Sequence, residues 1–333
     1  MPDHSYQVLD PATFDPAETA RAEFAEHVLV GLSETPKHLS SRFIYDATGS
    51  DLFEQITELR EYYPTRCEFE VLRAHADAIL DPLKGASFNL IDLGAGDGRK
   101  TVVLLQRALE RGMDVHYAPI DISEGAMAGL VSTMGRRMPT LTIEGIVSEY
   151  GHGVRWIGQQ ADRANLVLFL GSNIGNFDRS GSRAFLRRLW SALNPDDHVL
   201  VGFDLKKDIE VLLAAYNDRE GVTARFNKNL LARINQDLDA DFDLDQFRHF
   251  STYNVFSGAM ESYLVSLARQ TVHVGGLEAE FEFAPWEPVH TEYSYKYLDS
   301  DIDRMCAHGG FVDEGRFYDA NRWFCDALWR VAR

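Results

Sequence analysis

From Phe88 onward the chain keeps one cadence: the apolar stretches "FNLIDLG", "VHYAPID", "TLTIEGIV", "NLVLFLG" and "HVLVGFDL" alternate with helix-like text such as "RKTVVLLQRALERG". Strands alternating with helical connections predict a parallel, doubly wound α/β sheet. Upstream, "DPAETARAEFAEHVLVGL" and "TRCEFEVLRAHADAIL" carry apolar residues at helical spacing, after a start that reads as short polar turns. They flank "SSRFIYDATGSDLFEQITELREYYPTR", where Gly49 and Pro64 read as breaks. After Asp204 the alternation lapses into a helical run, "IEVLLAAYNDREGVTARFNKNLLARINQDL", then into "ESYLVSLARQTVHV" and "LEAEFEFA", the pattern of an insertion. The tail, "GGFVDEGRFYDANRWFCDALWRVAR", is strand-like again and is expected to rejoin the first sheet. There is no internal repeat and no low-complexity segment.

Composition narrows the partners. With 333 residues, 45% of them apolar, the chain can fill two lobes. A net charge of -18, from 33 basic and 51 acidic residues, opposes binding to nucleic acid or an anionic membrane and favours a small-molecule substrate. No stretch approaches the roughly 18 apolar residues of a membrane span, and the N-terminus lacks the pattern of a secretory leader. Cys67, Cys306 and Cys325 are widely separated, which suits a reducing cytoplasm. No metal is expected, because the 11 histidines form no ligand cluster. Within "DLDADFDLDQFR" a calcium loop would need glycine at Phe242 and glutamate at Arg248. Without a heptad or an apolar strip, a monomer is expected.

The chemistry begins at "LIDLGAGDGRKT". Gly94, Gly96 and Gly98 follow a strand and precede a helix, where missing side chains let a ligand approach the backbone. The dinucleotide fingerprint would need glycine where the chain has Arg99. Asp92, at the end of the first strand, would repel a pyrophosphate but suits a cation such as the sulfonium and ammonium of S-adenosylmethionine. Asp121 ends the second strand, where a carboxylate can accept both ribose hydroxyls. Glu149 ends the third and is a candidate for the adenine amino group. Lys100 and Tyr150, beside the loop and the third strand end, complete the expected cofactor set. "FLGSNIGNF" ends the fourth strand with small residues, on the carboxyl edge where open α/β sheets bind ligands.

Together, "FIYDATGSDLFEQITELREYYPTR", "IDLGAGDGRKT", "PIDIS", "FLGSNIGNF", "AYNDREGVTARFNKNLLARIN" and "TEYSYKY" resemble the histidine-specific Nα-methyltransferases, which use S-adenosylmethionine to make trimethylhistidine for ergothioneine. The resemblance implies a Rossmann-like class I methyltransferase sheet over 71–204 and 297–333. It also implies a substrate-binding domain made of the N-terminal segment 1–70 and the insertion 205–296. It assigns Tyr45 and Tyr62 to the substrate amine and ring. The amine must lose its proton, and with no dedicated base in the pattern a phenol such as Tyr45, or water, is left as acceptor. Asn176 and Tyr216 are assigned to the substrate carboxylate, with Thr223 close by, and Glu292 and Ser294 to the imidazole. Gly171 and Gly175 would let substrate and cofactor meet. One position departs from the family pattern: in "AMESYLVSL", Ser262 stands where the family usually offers a methionine, with Met260 two residues earlier. Two alternatives therefore stay open, an Nα-methyltransferase of another amino acid or small amine, and a non-catalytic S-adenosylmethionine binder.

Overall fold

The computed structural model describes residues 4–9, 16–83, 87–159 and 163–332. The chain divides into two compact units, one comprising Met1–Asp10, Pro64–Lys206 and Tyr295–Arg333, the other Pro11–Tyr63 and Lys207–Ser294.

An eight-stranded sheet forms the first unit. Its strands are β1 (His4–Val8), β2 (Phe88–Leu93), β3 (Val115–Asp121), β4 (Thr142–Val147), β5 (Ala164–Phe169), β6 (His198–Asp204), β12 (Phe311–Tyr318) and β13 (Phe324–Val331). In space they run β1-β4-β3-β2-β5-β6-β13-β12. Pairing is parallel from β1 to β6 and antiparallel where β13 meets β6 and β12 meets β13. The tail thus rejoins the sheet, as the sequence predicts.

Both sheet faces are covered, which explains why the central strands are apolar on successive residues. One core packs Leu90, Leu166 and Leu200 against α3 (Tyr63–Leu80), α4 (Thr101–Glu110) and α5 (Glu124–Arg137). The other packs Ile91, Val167 and Val199 against α6 (Tyr150–Ile157), α7 (Arg179–Ala192) and α10 (Asp299–Gly309). Strand order reverses beside β2, whose neighbours are β3 and β5. That reversal opens a crevice at the carboxyl ends of β2 and β5, the place where such sheets take ligands.

Two expectations change. The polar turns expected at the N-terminus lie partly outside the described residues, and the described part, His4–Val8, is a fully exposed edge strand beside β4. His4–Leu9 accordingly belong to the sheet unit. Gly49, read as a break, instead lies in the first turn of α2 (Ala47–Glu58) in the second unit. A Cβ at Gly49 would stand 1.7 Å from the Ile44 carbonyl oxygen, so the glycine serves a close approach of chain to chain. Pro64 does mark a boundary, in the first turn of α3, where a proline costs no hydrogen bond.

The second unit contains α1 (Pro16–Ser33), α2, α8 (Ile209–Tyr216) and α9 (Val222–Leu238) with strands β7 (Phe247–Asn254), β8 (Ala259–Ser266), β9 (Gln270–Val274), β10 (Ala279–Phe283) and β11 (Pro288–Tyr295). Strands order as β11-β8-β7, with β9 and β10 as a separate ribbon. Helix α9 buries Phe226, Leu230, Leu231 and Ile234. Its Asn229 donates to Asp46 Oδ1 at 2.8 Å, the same oxygen that caps α2 by accepting from Gly49 N–H at 2.7 Å. Among the described residues no helix is long and apolar enough to cross a membrane.

Candidate functional site

The glycine loop leaves β2 with Gly94 at φ +77°, Gly96 at +53° and Gly98 at +69°, all in the left-handed region that side chains disfavour. A Cβ on Gly94 would stand 2.7 Å from Tyr150 Oη and 3.0 Å from Asn173 Nδ2, so the loop, α6 and the turn after β5 meet at this point. Around Gly96 an added Cβ would meet nothing within 4 Å. This open, side-chain-free backbone is what a bulky ligand requires.

Asp121 ends β3, and its carboxylate is already engaged by the loop: Oδ2 accepts from Gly96 N–H at 2.9 Å and Oδ1 from Ser123 N–H at 3.1 Å. Asp92 turns inward instead. It is buried, and its Oδ2 accepts hydrogen bonds from Thr101 Oγ1 and, at 3.2 Å, from Tyr117 Oη. Burial pushes its carboxyl up to about 6, although both hydroxyls and the Lys100 charge pull it down. Glu149 is exposed at the start of α6. The next residue, Tyr150, lies among Phe169, Phe177 and Phe185. Desolvation and the negative charges of Asp121 and Asp92 push its phenol upward, so it stays neutral.

Beyond β5 the chain turns sharply through Gly171 (φ +73°) and Ser172 (φ +57°) into a short 3-10 turn, Asn173–Asn176. Ser172 Oγ accepts from Asp204 N–H at 3.1 Å, which ties this turn to β6. Behind it Asp204 and Lys296 form a fully buried ion pair at 2.8 Å. A Cβ on Gly175 would stand 3.0 Å from the Tyr295 carbonyl oxygen, so the turn lies tight against that backbone. Tyr297 Oη donates to the Ile174 carbonyl at 3.2 Å. Asn176, at the end of the turn, is exposed. These contacts hold the turn from behind.

In the second unit the structure brings together five residues that the family resemblance singles out. The ring of Tyr45 packs edge-on against Phe53 at 5.6 Å, Phe53 against Tyr62 at 6.4 Å, and Tyr62 against Tyr216 at 6.3 Å. Tyr216 Oη then meets Ser294 Oγ at 2.7 Å. Glu292 stands two residues before Ser294 on β11 and so on the same strand face. Thr223 is buried in the first turn of α9, where its N–H donates to Asp218 at 2.8 Å. Ser262 is buried on β8 opposite Ser251, and Met260 is buried opposite Tyr253 on the same strand face. Ser251 in turn donates to the Tyr216 carbonyl at 2.7 Å.

Sequence reasoning missed the layer behind these groups. Thr101 and Tyr117 hold Asp92, Ser251 holds Tyr216, and Glu68 accepts from Gly171 N–H at 2.7 Å. A serine, a threonine or a glutamate within a helix or strand pattern carries no signal of its distant partner. Only the alternation of residues 249, 251 and 253 along β7 could have placed Ser251 on a functional face.

A family described as histidine-specific, SAM-dependent methyltransferases matches residues 24–331. Among curated proteins the chain is 37% identical to a histidine N-alpha-methyltransferase of Mycolicibacterium smegmatis, over 91% of this chain and 93% of that one. It is 30% identical to ergothioneine biosynthesis protein 1 of Schizosaccharomyces pombe, over 82% of this chain but 36% of that longer protein. It is 28% identical to a 4-dimethylallyltryptophan N-methyltransferase of Claviceps fusiformis, over 87% of this chain and 85% of that one.

Proposed function

The chain belongs to the SAM-dependent, histidine-specific methyltransferase family, and from that premise we propose that it methylates the α-amino group of L-histidine, up to trimethylhistidine, as a step towards ergothioneine. The observation that carries the substrate reading is the 2.7 Å contact of Tyr216 Oη with Ser294 Oγ, on the strand face that also bears Glu292. A phenol and a hydroxyl can orient an amino acid, while a carboxylate accepts from an imidazole N–H and favours its charged form.

The glycine loop fits S-adenosylmethionine, because Gly96 is open and a side chain at Gly94 would collide with Tyr150. When bound, that cofactor supplies an electrophilic methyl on a sulfonium. Gly94, Gly96 and Gly98 offer the backbone, Asp121 the acceptor for the ribose hydroxyls, and Glu149 the acceptor for the adenine amine. Lys100 and Tyr150 line the same edge, and Asp92 supports the loop from within. On the amino-acid side, Tyr216, Asn176 and Thr223 are assigned to the carboxylate, Glu292 and Ser294 to the imidazole, and Tyr62 to the amine. Tyr45, or water, takes the proton. Displacement at a methyl needs a neutral amine held in line, so the contribution of these residues is mainly positional. The small residues Gly171 and Gly175 leave room for the amine to turn between transfers. Functionally, then, the cofactor residues belong to the sheet unit, and most of the substrate residues belong to the second. We further place the enzyme as a cytoplasmic monomer whose three cysteines stay free thiols, and its acidic charge disfavours nucleic acid.

A second reading keeps the reaction and changes the substrate. Ser262 is small and buried, and one matching relative is named for a tryptophan derivative. Calorimetric titration of histidine, dimethylhistidine and tryptophan, with S-adenosylhomocysteine present, separates the two, followed by mass spectrometry of a turnover mixture. Tight histidine binding with a gain of up to three methyls supports the first reading. Turnover of tryptophan or another amine without histidine turnover replaces it with the second.

A further inference from the structure

Behind the β5 turn the first unit buries ionisable groups that the reaction so far leaves without a task. Glu68, on α3, is fully buried. Its Oε1 accepts from Gly171 N–H at 2.7 Å, and its Oε2 stands 2.5 Å from Lys100 Nζ, whose side chain keeps 26% of its exposure. The carboxylate fits because β6 carries Gly202 at this point: a Cβ there would lie 2.5 Å from Glu68 Oε1. Asp326, on β13, pairs with Gly202 across the sheet. It is fully buried, and neither carboxyl oxygen has a hydrogen-bond partner among the described residues. Lys100 leans on the same turn, since a Cβ on Gly171 would lie 3.2 Å from its Nζ.

We propose that Glu68 is a positioning residue for methyl transfer, its carboxylate holding the Gly171 amide and the Lys100 ammonium at the end of β5, with Asp326 as a reserve acid for the same lysine. Two carboxylates buried next to one another, with a single ammonium on one of them, would leave an uncompensated charge away from water, so one acid keeps its proton. Asp326 is that acid: burial first, then the negative charge of Glu68, push it far up, and Lys100 opposes by less. Glu68, unlike Asp326, has the partners of a carboxylate: the Lys100 ammonium at 2.5 Å and the Gly171 N–H at 2.7 Å. The lysine stem is long and flexible, and Glu68 fixes where its ammonium stands. The Gly171 amide opens the turn that carries Asn173 and Asn176, so one carboxylate sets both the cation and the turn.

The proposal rests on the reading that the methyl donor binds along this sheet edge. Its test uses the full chain with Glu68→Gln, Asp326→Asn and the double variant, all close in shape to the native residues. Three quantities are read, the calorimetric Kd for S-adenosylhomocysteine, kcat and KM. Asp326→Asn should change each by less than threefold. Glu68→Gln should weaken binding about tenfold and lower kcat, with Asp326 then ionising in part to replace the lost charge. The double variant, with no acid left, should fall about another tenfold below the product of the single effects. Gly202→Ala, which crowds the Glu68 carboxylate from behind, should also weaken binding several-fold, and it answers the question if Glu68→Gln fails to fold. Unchanged binding and kcat in Glu68→Gln, or in Gly202→Ala, overturn the positioning role while leaving the cofactor reading intact. Strictly multiplicative effects in the double variant overturn the reserve role of Asp326. A native chain that binds no S-adenosylhomocysteine overturns both the proposal and the reading beneath it.

Discussion

Gly94 and Gly96 look alike in the sequence and differ in what surrounds them. Both have positive φ, so alanine at either should cost roughly 1–2 kcal/mol of backbone strain. Only at Gly94 does the added methyl also meet Tyr150 Oη, at 2.7 Å, and Asn173 Nδ2, at 3.0 Å. Gly94→Ala should therefore destabilise the fold more than Gly96→Ala and disturb α6 and the β5 turn together, as urea unfolding of the two variants would show. Equal losses would mean that the Tyr150 contact is inconsequential. Asp92 gives a second prediction at this scale. Its folded pKa, about 6, lies above the ordinary value of roughly 3.9, so the folded chain holds the proton more tightly than the unfolded one. That advantage is complete below about pH 4 and is lost as pH rises through about 6, leaving an ionised, buried carboxylate that costs on the order of 3 kcal/mol. Asp92→Asn should accordingly raise the unfolding free energy at pH 8, by about 1–3 kcal/mol, and leave it little changed at pH 4. A gain of equal size at both pH values would rule out this titration as the cause. The glycines and Asp92 were legible because a strand, a loop and a helix follow one another in the sequence. The inward turn of Asp92 was not, since its partner Tyr117 lies on another strand.

Among the elements, α2 shows how a motif can be legible while its reason is hidden. "FIYDATGSDLFEQ" marks the family, yet the sequence does not show that Asp46 serves two partners. Its Oδ1 caps α2 through Gly49 N–H and also receives Asn229 Nδ2 from α9. A lost N-cap costs about 1–2 kcal/mol, and here the buried Asn229 amide would lose an acceptor as well. Asp46→Ala is therefore expected at or beyond the upper end of that range in chemical denaturation, whereas Asp46→Asn, which can still cap, should recover most of it. If alanine and asparagine behave alike, the shared cap is not what holds α2 to α9. The aromatic series from Tyr45 through Phe53 and Tyr62 to Tyr216 was invisible for a similar reason. Its members come from segments on either side of residues 64–206 of the sheet unit, and spacing arguments reach only within one element.

On the scale of the molecule, the parallel sheet was legible because buried strands must be apolar on both faces, and that leaves a mark in every segment from Phe88 to Asp204. Strand β1 left no such mark: "HSYQV" is exposed throughout and reads as solvated text. Each compact unit is also assembled from separated segments, which sequence alone could only suggest through changes of cadence. The reading that the sheet unit takes the cofactor and the second unit the amino acid makes a prediction that hydrogen exchange can test. A ligand that binds only the folded form lowers the frequency of the openings its contacts must survive. S-adenosylhomocysteine alone should slow exchange at Gly94–Thr101 and at the Asn173–Asn176 turn. Histidine added to that complex should slow exchange in β8, β11 and the first turn of α9, where Ser262, Glu292, Ser294 and Thr223 reside. Protection of β8 and β11 by S-adenosylhomocysteine alone, with nothing further on adding histidine, would assign those strands to the cofactor and take the imidazole away from Glu292.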